Sequence, residues 1–272
     1  MVRAVAVSMG GGCKIAHLMA HLCSMRSLIP SLFLLLGATW AQAQELRPHA
    51  YADGPQKLHG LVTDHSGARR PGVLILPAWM GIDDEARTAA KELAQLGYIA
   101  FIADIYGEGN VPTDFNSARQ AATHYKTAYA AYQHRIALAL EQLKELGADP
   151  DRIAVIGYCF GGTGALEAAR GQLPVKGAVC IHGGLGKGDR PNGPIGTSVL
   201  ILHPEADASV SPADLASITE ELNAAKADWQ MITYAHCGHT FTNPASKEYN
   251  ERMARRAWAH TLLFLEEVLR GG

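Results

Sequence analysis

The chain has 272 residues, of which 48% are hydrophobic and 18% charged, a balance that supplies one ample core and lies far from the polar bias of disordered proteins. Its formal net charge of −2, with no long Lys/Arg run, excludes a protein whose main task is to follow a nucleic-acid backbone. No internal repeat is visible, and after residue 45 no apolar run is long enough to cross a bilayer.

The first 45 residues stand apart. Arg26 precedes an apolar stretch at 28–37, and Ala41-Gln42-Ala43 then supplies the small-x-small pattern that a signal peptidase accepts. The expectation is a secretory signal peptide over 1–43, cleaved after Ala43, with Met25 as an alternative start because 1–24 makes the leader long. Residues 44–272 would then reach the periplasm or the medium as a single domain without stable membrane insertion, since the apolar stretch is short for a membrane anchor. Cleavage removes Cys13 and Cys23. The odd set that remains, Cys159, Cys180 and Cys237, leaves at least one free thiol and no disulfide framework.

In chain order, residues 45–66 read as a small antiparallel piece at the edge of a sheet. From Pro71 onward short apolar runs alternate with helix-period segments. A buried strand at 73–76 is followed by a helix at 85–96, closed by Gly97, and by a second strand at 99–103. One long helical periodicity fills 118–146 and stops at Gly147; residues 149–152 turn into an apolar strand at 153–156, and a helix opens at Gly162. Strands at 177–181 and 198–202, a helix at 212–225, a strand at 229–234 and a final helix over 248–269 complete the series. This order predicts an α/β fold with a mostly parallel central sheet flanked by helices on both faces.

Chemistry concentrates at Gly157-Tyr158-Cys159-Phe160-Gly161-Gly162, directly after the strand at 153–156. A nucleophile between glycines at a strand-to-helix turn is a nucleophile elbow, G-x-Nuc-x-G, here with cysteine. The turn forces close backbone approach, so positions 157 and 161 tolerate little beyond a hydrogen, and the sulfur meets the positive end of the following helix. Cys180 sits within an apolar run and reads as core. Partners for Cys159 are expected where later strands end, because functional groups of open α/β sheets gather at the carboxyl edge. Asp207 follows the strand ending at Leu202, with Glu205 as a rival, and His239 follows the strand ending at Tyr234. His182, His203 and His236 also lie near strand ends, but the position of His239 in the last loop favours it. The backbone N–H of Phe160 and that of Trp79, in the loop after the first core strand, are the expected oxyanion donors. His236, Cys237 and His239 are metal-ligand types, yet no second cluster of matching spacing accompanies them, so no metal is expected.

Through the elbow, Asp151-Arg152-Ile153, the segment from Gly97 to Gly107 and His239-Thr240-Phe241, the chain resembles the dienelactone hydrolase family of α/β-hydrolases over roughly residues 55–270. The order nucleophile, acid, histidine is also that of α/β-hydrolases. The resemblance implies a Cys159, Asp207, His239 triad, small ester or lactone substrates and no cofactor. Dienelactone-cleaving members carry a glutamate where this chain has Ala78 and a substrate-clamping arginine where it has Asn243; Arg119 is a second clamp position. Loss of a bidentate carboxylate contact implies that dienelactone itself is not the preferred substrate. Two other readings stay open: a peroxide-reactive thiol protein with Cys237 resolving Cys159, and a non-catalytic binding protein on the same fold.

Overall fold

The computed structural model describes residues 45–64 and 67–271; the expected signal peptide and its cleavage point at Ala43 lie outside the described residues. The chain enters as an antiparallel hairpin, β1 (Leu46–Asp53) and β2 (Gln56–Thr63). Then come β3 (Arg70–Leu76), α1 (Asp84–Gln95) and β4 (Ile99–Ile102), followed by α2 (Phe115–Thr127) and α3 (Tyr129–Glu145). β5 (Ala148–Tyr158) leads into α4 (Phe160–Arg170), and β6 (Gly177–Ile181) and β7 (Ser198–Pro204) follow. The series closes with α5 (Pro212–Ala224), β8 (Trp229–Tyr234) and α6 (Glu251–Arg270).

The strands form one sheet in the order β1-β2-β4-β3-β5-β6-β7-β8. β1 and β2 are antiparallel, and every neighbouring pair from β4 to β8 is parallel. Side-chain alternation assigns each strand residue to a face. Leu74, Leu76, Val155, Cys180 and Ile201 pack with α2 to α5, while Val73, Ile75, Ile156, Ile181 and Leu202 pack with α1 and α6. Both faces are therefore apolar, which is why the parallel strands read as continuous hydrophobic runs rather than alternating ones. Cys180 is fully buried in the first of these cores.

Most element ends shift by a few residues, and two differences go further. The single helical periodicity over 118–146 is two helices, broken where Ala128 takes ψ 55°. Just before the break, the Thr127 hydroxyl donates to the carbonyls of Thr123 and His124, a local competitor with helix propagation. Upstream of the elbow, residues 149–152 do not form a separate turn but belong to β5, with a register irregularity between the pairs Arg70 with Ala148 and Gly72 with Ile153. The acidic, proline-containing stretch is accommodated as a bulge at the strand's entrance.

Candidate active site

β3, β5, β6, β7 and β8 all end at one edge of the sheet, so their following loops converge there. At the centre, Cys159 separates β5 from α4 and is held at φ 53°, ψ −111°, a conformation rarely adopted by a side-chain-bearing residue. The two flanking glycines make this turn possible. A Cβ on Gly157 would lie 1.9 Å from the Gly161 carbonyl oxygen, and one on Gly161 would lie 2.0 Å from the Leu76 carbonyl oxygen. Both obstacles are backbone, so neither can step aside cheaply. The Cys159 N–H donates to Ile181 O at 3.0 Å, which anchors the turn to β6. The sulfur thus stands, partly exposed, at the N-terminus of an 11-residue helix.

The loop after β8 brings His239 Nε2 to 3.1 Å from Cys159 Sγ, and the loop after β7 brings Asp207 Oδ2 to 2.7 Å from His239 Nδ1. Asp207 is buried; its other oxygen accepts from the Ser209 N–H at 2.9 Å and the Ser209 hydroxyl at 2.6 Å. Burial opposes the charge on Asp207, but the hydrogen bonds from His239 and Ser209 outweigh it and hold the carboxyl down at about 2. Burial likewise opposes charging His239; the hydrogen bonds to Asp207 and Cys159 win and lift the imidazole to about 10. The arrangement can share a proton between sulfur and imidazole while a fixed carboxylate supports the positive ring.

The rivals go elsewhere. Glu205 accepts the backbone N–H of His236 at 3.1 Å, and the His236 side chain is 95% exposed. Cys237 is buried in the core beneath α1 and α6, so the three metal-ligand types at 236–239 face three different surroundings. His203 is buried at the end of β7, where burial lowers its affinity for a proton. Cys159, Cys180 and Cys237 are all free thiols.

Phe160 is the first residue of α4 and Trp79 follows β3, and neither backbone N–H finds an acceptor among the described residues. Two tyrosines that sequence reasoning passed over fix these residues. Tyr106 donates to the Trp79 carbonyl at 2.9 Å and stacks on the Phe160 ring. Tyr132 donates to the Phe160 carbonyl at 3.0 Å and stacks on the same ring from a centroid distance of 4.6 Å. Ser209 was also unforeseen, as was His182 in its actual place, against the edge of His239 and bonded to the Cys159 backbone. A histidine at the end of β6 was the one signal available for it. Phe115, 69% exposed, stacks on Trp79 at 5.8 Å and extends an aromatic surface from the site. Ala78 lines a cavity of about 240 Å³ with Asp104 and Tyr106. Asn243 lines a separate groove of about 600 Å³ between α1 and α6, and Arg119 is exposed on α2.

A mostly parallel sheet covered on both faces, with a strained G-x-Cys-x-G turn at the carboxyl end of a central strand and a carboxylate and a histidine on later loops, is the architecture of an α/β-hydrolase. Residues 58–269 match the model of the Dienelactone hydrolase family, and the chain belongs to that family. It is a carboxylic ester hydrolase. Among curated relatives, a probable 2-oxo-3-(5-oxofuran-2-ylidene)propanoate lactonase of Bradyrhizobium sp is 26% identical over 231 residues, covering 80% of this chain and 92% of the relative. Among solved structures, a dienelactone hydrolase-like promiscuous phosphotriesterase from metagenomic libraries is 31% identical, with a TM-score of 0.77 over 83% of this chain and 99% of that one. An alpha/beta hydrolase enzyme from a Medee basin deep-sea metagenome library shares the fold at 20% identity and a TM-score of 0.59, covering 84% of this chain and 99% of that one.

Proposed function

We propose that the protein hydrolyses small, uncharged carboxylic esters and lactones with Cys159 as nucleophile, His239 as general base and acid, and Asp207 as the carboxylate that orients His239. The observation that carries this reading is the unbroken line from Cys159 Sγ to His239 Nε2, 3.1 Å, and from His239 Nδ1 to Asp207 Oδ2, 2.7 Å. The Cys159 proton rests on His239, whose imidazole is lifted to about 10; the thiolate sulfur attacks the carbonyl carbon, and the carbonyl electrons move onto oxygen. The Phe160 and Trp79 N–H groups receive that oxyanion, which is the step where preorganised donors contribute most. Collapse expels the alcohol, protonated by the imidazolium, and leaves a thioester on Cys159. Water, deprotonated by His239, then repeats the sequence and releases the acid. Asp207 keeps its charge throughout and holds the Nδ1–H tautomer. No step requires a cofactor.

Substrate class follows from the surroundings. The Trp79–Phe115 stack beside the site favours an apolar group on the ester, and the family resemblance puts Asn243, which lines the neighbouring groove, where a carboxylate-clamping arginine would stand. A Cys159–Cys237 redox pair is disfavoured because Cys237 is 1% exposed and packs in the core on the α1 and α6 side, whereas Cys159 packs against the opposite core. Initial rates on short-chain aryl esters, small lactones, dienelactone and an aryl phosphotriester, beside Cys159→Ala, test the reading. Turnover of neutral esters that vanishes in the variant supports it; turnover that persists overturns it. Export, with cleavage after Ala43, belongs to the same proposal, and N-terminal sequencing of the mature protein checks it.

A further inference from the structure

A second histidine touches the nucleophile from behind. His182, 2% exposed at the end of β6, takes φ 39°, and its Nδ1, 3.1 Å from the Cys159 nitrogen, shares the Cys159 N–H with Ile181 O in a three-centre bond. Because Nδ1 faces a donor, the ring proton sits on Nε2, which lies 2.8 Å from the Thr242 hydroxyl oxygen. That oxygen accepts from His182, so the one hydroxyl proton of Thr242 is donated onward to Glu85 Oε1 at 2.5 Å. Thr242 is three residues beyond His239 in the same loop. The contacts therefore close a ring: Cys159 backbone, His182, Thr242, the 239–242 loop, His239 and back to Cys159 Sγ. The His182 and His239 rings also meet edge to face at 5.3 Å.

We propose that His182, Thr242 and Glu85 are positioning residues: a hydrogen-bond line, buried at its His182 end, from α1 to the elbow that sets the distance between His239 and Cys159. The proposal rests on the reading of Cys159 and His239 as the reacting pair. A group held only by its own loop drifts, and a displacement of about 1 Å at a reacting pair costs on the order of a hundredfold in rate. Here the loop is seated in the core by Phe241 and carries two polar anchors beside it, His239 and Thr242, and Glu85 pins Thr242 to the first turn of α1. The polarity of the line is fixed at both ends. A backbone N–H can only donate to His182, which by itself fixes the tautomer; Glu85, which burial raises to about 7, accepts from Thr242 in its ionised form, so the outer end of the line is complete above that pH. The ring also has to stay uncharged beside a cationic His239. Burial, followed by repulsion from His239, lowers the proton affinity of His182 to about 3. The ionisable groups around it are Tyr158 at the end of β5, Cys159 at the turn after it, Asp207 and His239 from the loops, Glu85 from α1 and Asp83 at the cap of α1. Thr242 and Glu85 are the members reached by solvent, through the 600 Å³ groove that both line.

The test uses Thr242→Val, which keeps the shape of threonine and removes the hydroxyl, and Thr242→Ser, which keeps the hydroxyl. Two readouts are taken: kcat and KM on a neutral aryl ester, and the pH dependence of Cys159 alkylation by iodoacetamide, located by peptide mass spectrometry. Thr242→Val is expected to lower kcat at least tenfold with KM within twofold, and to lower the ratio of alkylation rates at pH 6 and pH 9 at least fivefold. Thr242→Ser is expected to stay within threefold of wild type on both. A Thr242→Val enzyme with wild-type kcat and alkylation profile overturns the proposal, and so does a Thr242→Ser enzyme as impaired as the valine variant. Glu85→Leu, on the groove, provides the independent arm should Thr242→Val fail to fold. A kcat at least threefold lower supports the line, and an unchanged kcat removes Glu85 from it. Turnover that survives Cys159→Ala would sink the thiol mechanism separately, and the alkylation profile would still judge the ring.

Discussion

Replacing Asp207 with asparagine removes one charge from the site and changes little volume, so its effect can be worked out in advance. Its interactions with His239 and Ser209 hold Asp207 at about 2 against an ordinary 3.8. At 1.36 kcal/mol per pKa unit, that difference corresponds to about 2 kcal/mol favouring the ionised carboxylate. Much of it acts across the 2.7 Å contact, and the same interaction necessarily favours the imidazolium of His239. Without it, the imidazole should fall from its raised position near 10 by roughly one to two units. An asparagine amide turned toward Nδ1 also selects the wrong tautomer, a change that lowers turnover by roughly 10²- to 10⁴-fold in hydrolases of this logic. The assay is kcat/KM for a neutral aryl ester between pH 5 and pH 11. Asp207→Asn should show a lower plateau and an alkaline limb moved acidward by about one to two units. Glu205→Gln, which alters only the contact to His236, should stay within threefold of wild type. An unchanged alkaline limb and plateau in Asp207→Asn, or a large loss in Glu205→Gln, would refute the assignment of the acid.

Three further outcomes follow from the geometry. Gly161→Ala must move α4 away from the Leu76 carbonyl by more than an ångström; a loss of about 3 kcal/mol in urea unfolding and a kcat lowered by about a hundredfold or more are expected. Glu167 is 2% exposed and accepts from Arg170 at 3.1 Å, Arg190 at 2.6 Å and Gln133 at 3.0 Å, tying the loop after β6 to α4. Glu167→Ala leaves Arg170 paired with Glu221 and the Leu185 carbonyl but removes the carboxylate partner of Arg190, and should cost about 1.5–3 kcal/mol in the same assay. Because the folded-state pKa of Asp207 is depressed, its stabilisation is complete above the unfolded value near 4 and is lost as pH falls through about 2. The stability gap between wild type and Asp207→Asn, about 2 kcal/mol at pH 6 on the same pKa scale, should therefore close as pH approaches 2.

Hydrophobic pattern made most of the fold legible. Runs such as Val73-Leu74-Ile75-Leu76 are apolar on both faces, and only a central parallel strand buries both. The elbow was legible because glycine at 157 and 161 answers a local steric demand that leaves a mark in sequence. Asp207 and His239 were recoverable from topology, since each follows a strand ending at the same edge. The break at Ala128 was not, because periodicity runs on through Thr127 and Tyr129 with no proline or glycine to stop it. Nor were Tyr106, Tyr132, Thr242 and Glu85. Their roles depend on contacts between residues as far apart as 157 positions, as for Thr242 with Glu85, and carry no local spacing signal. His182 was visible as a histidine at a strand end, but only the fold turns it toward the nucleophile's backbone.

The central claim is that acyl transfer passes through sulfur. Quenching the reaction with a neutral aryl ester in acid, then mapping the acyl mass increment by peptide mass spectrometry, tests this directly. The account predicts a stoichiometric thioester on Cys159, absent from Cys180 and Cys237 and lost at the rate of turnover. Steady turnover with no adduct on Cys159, undiminished in Cys159→Ala, would contradict it.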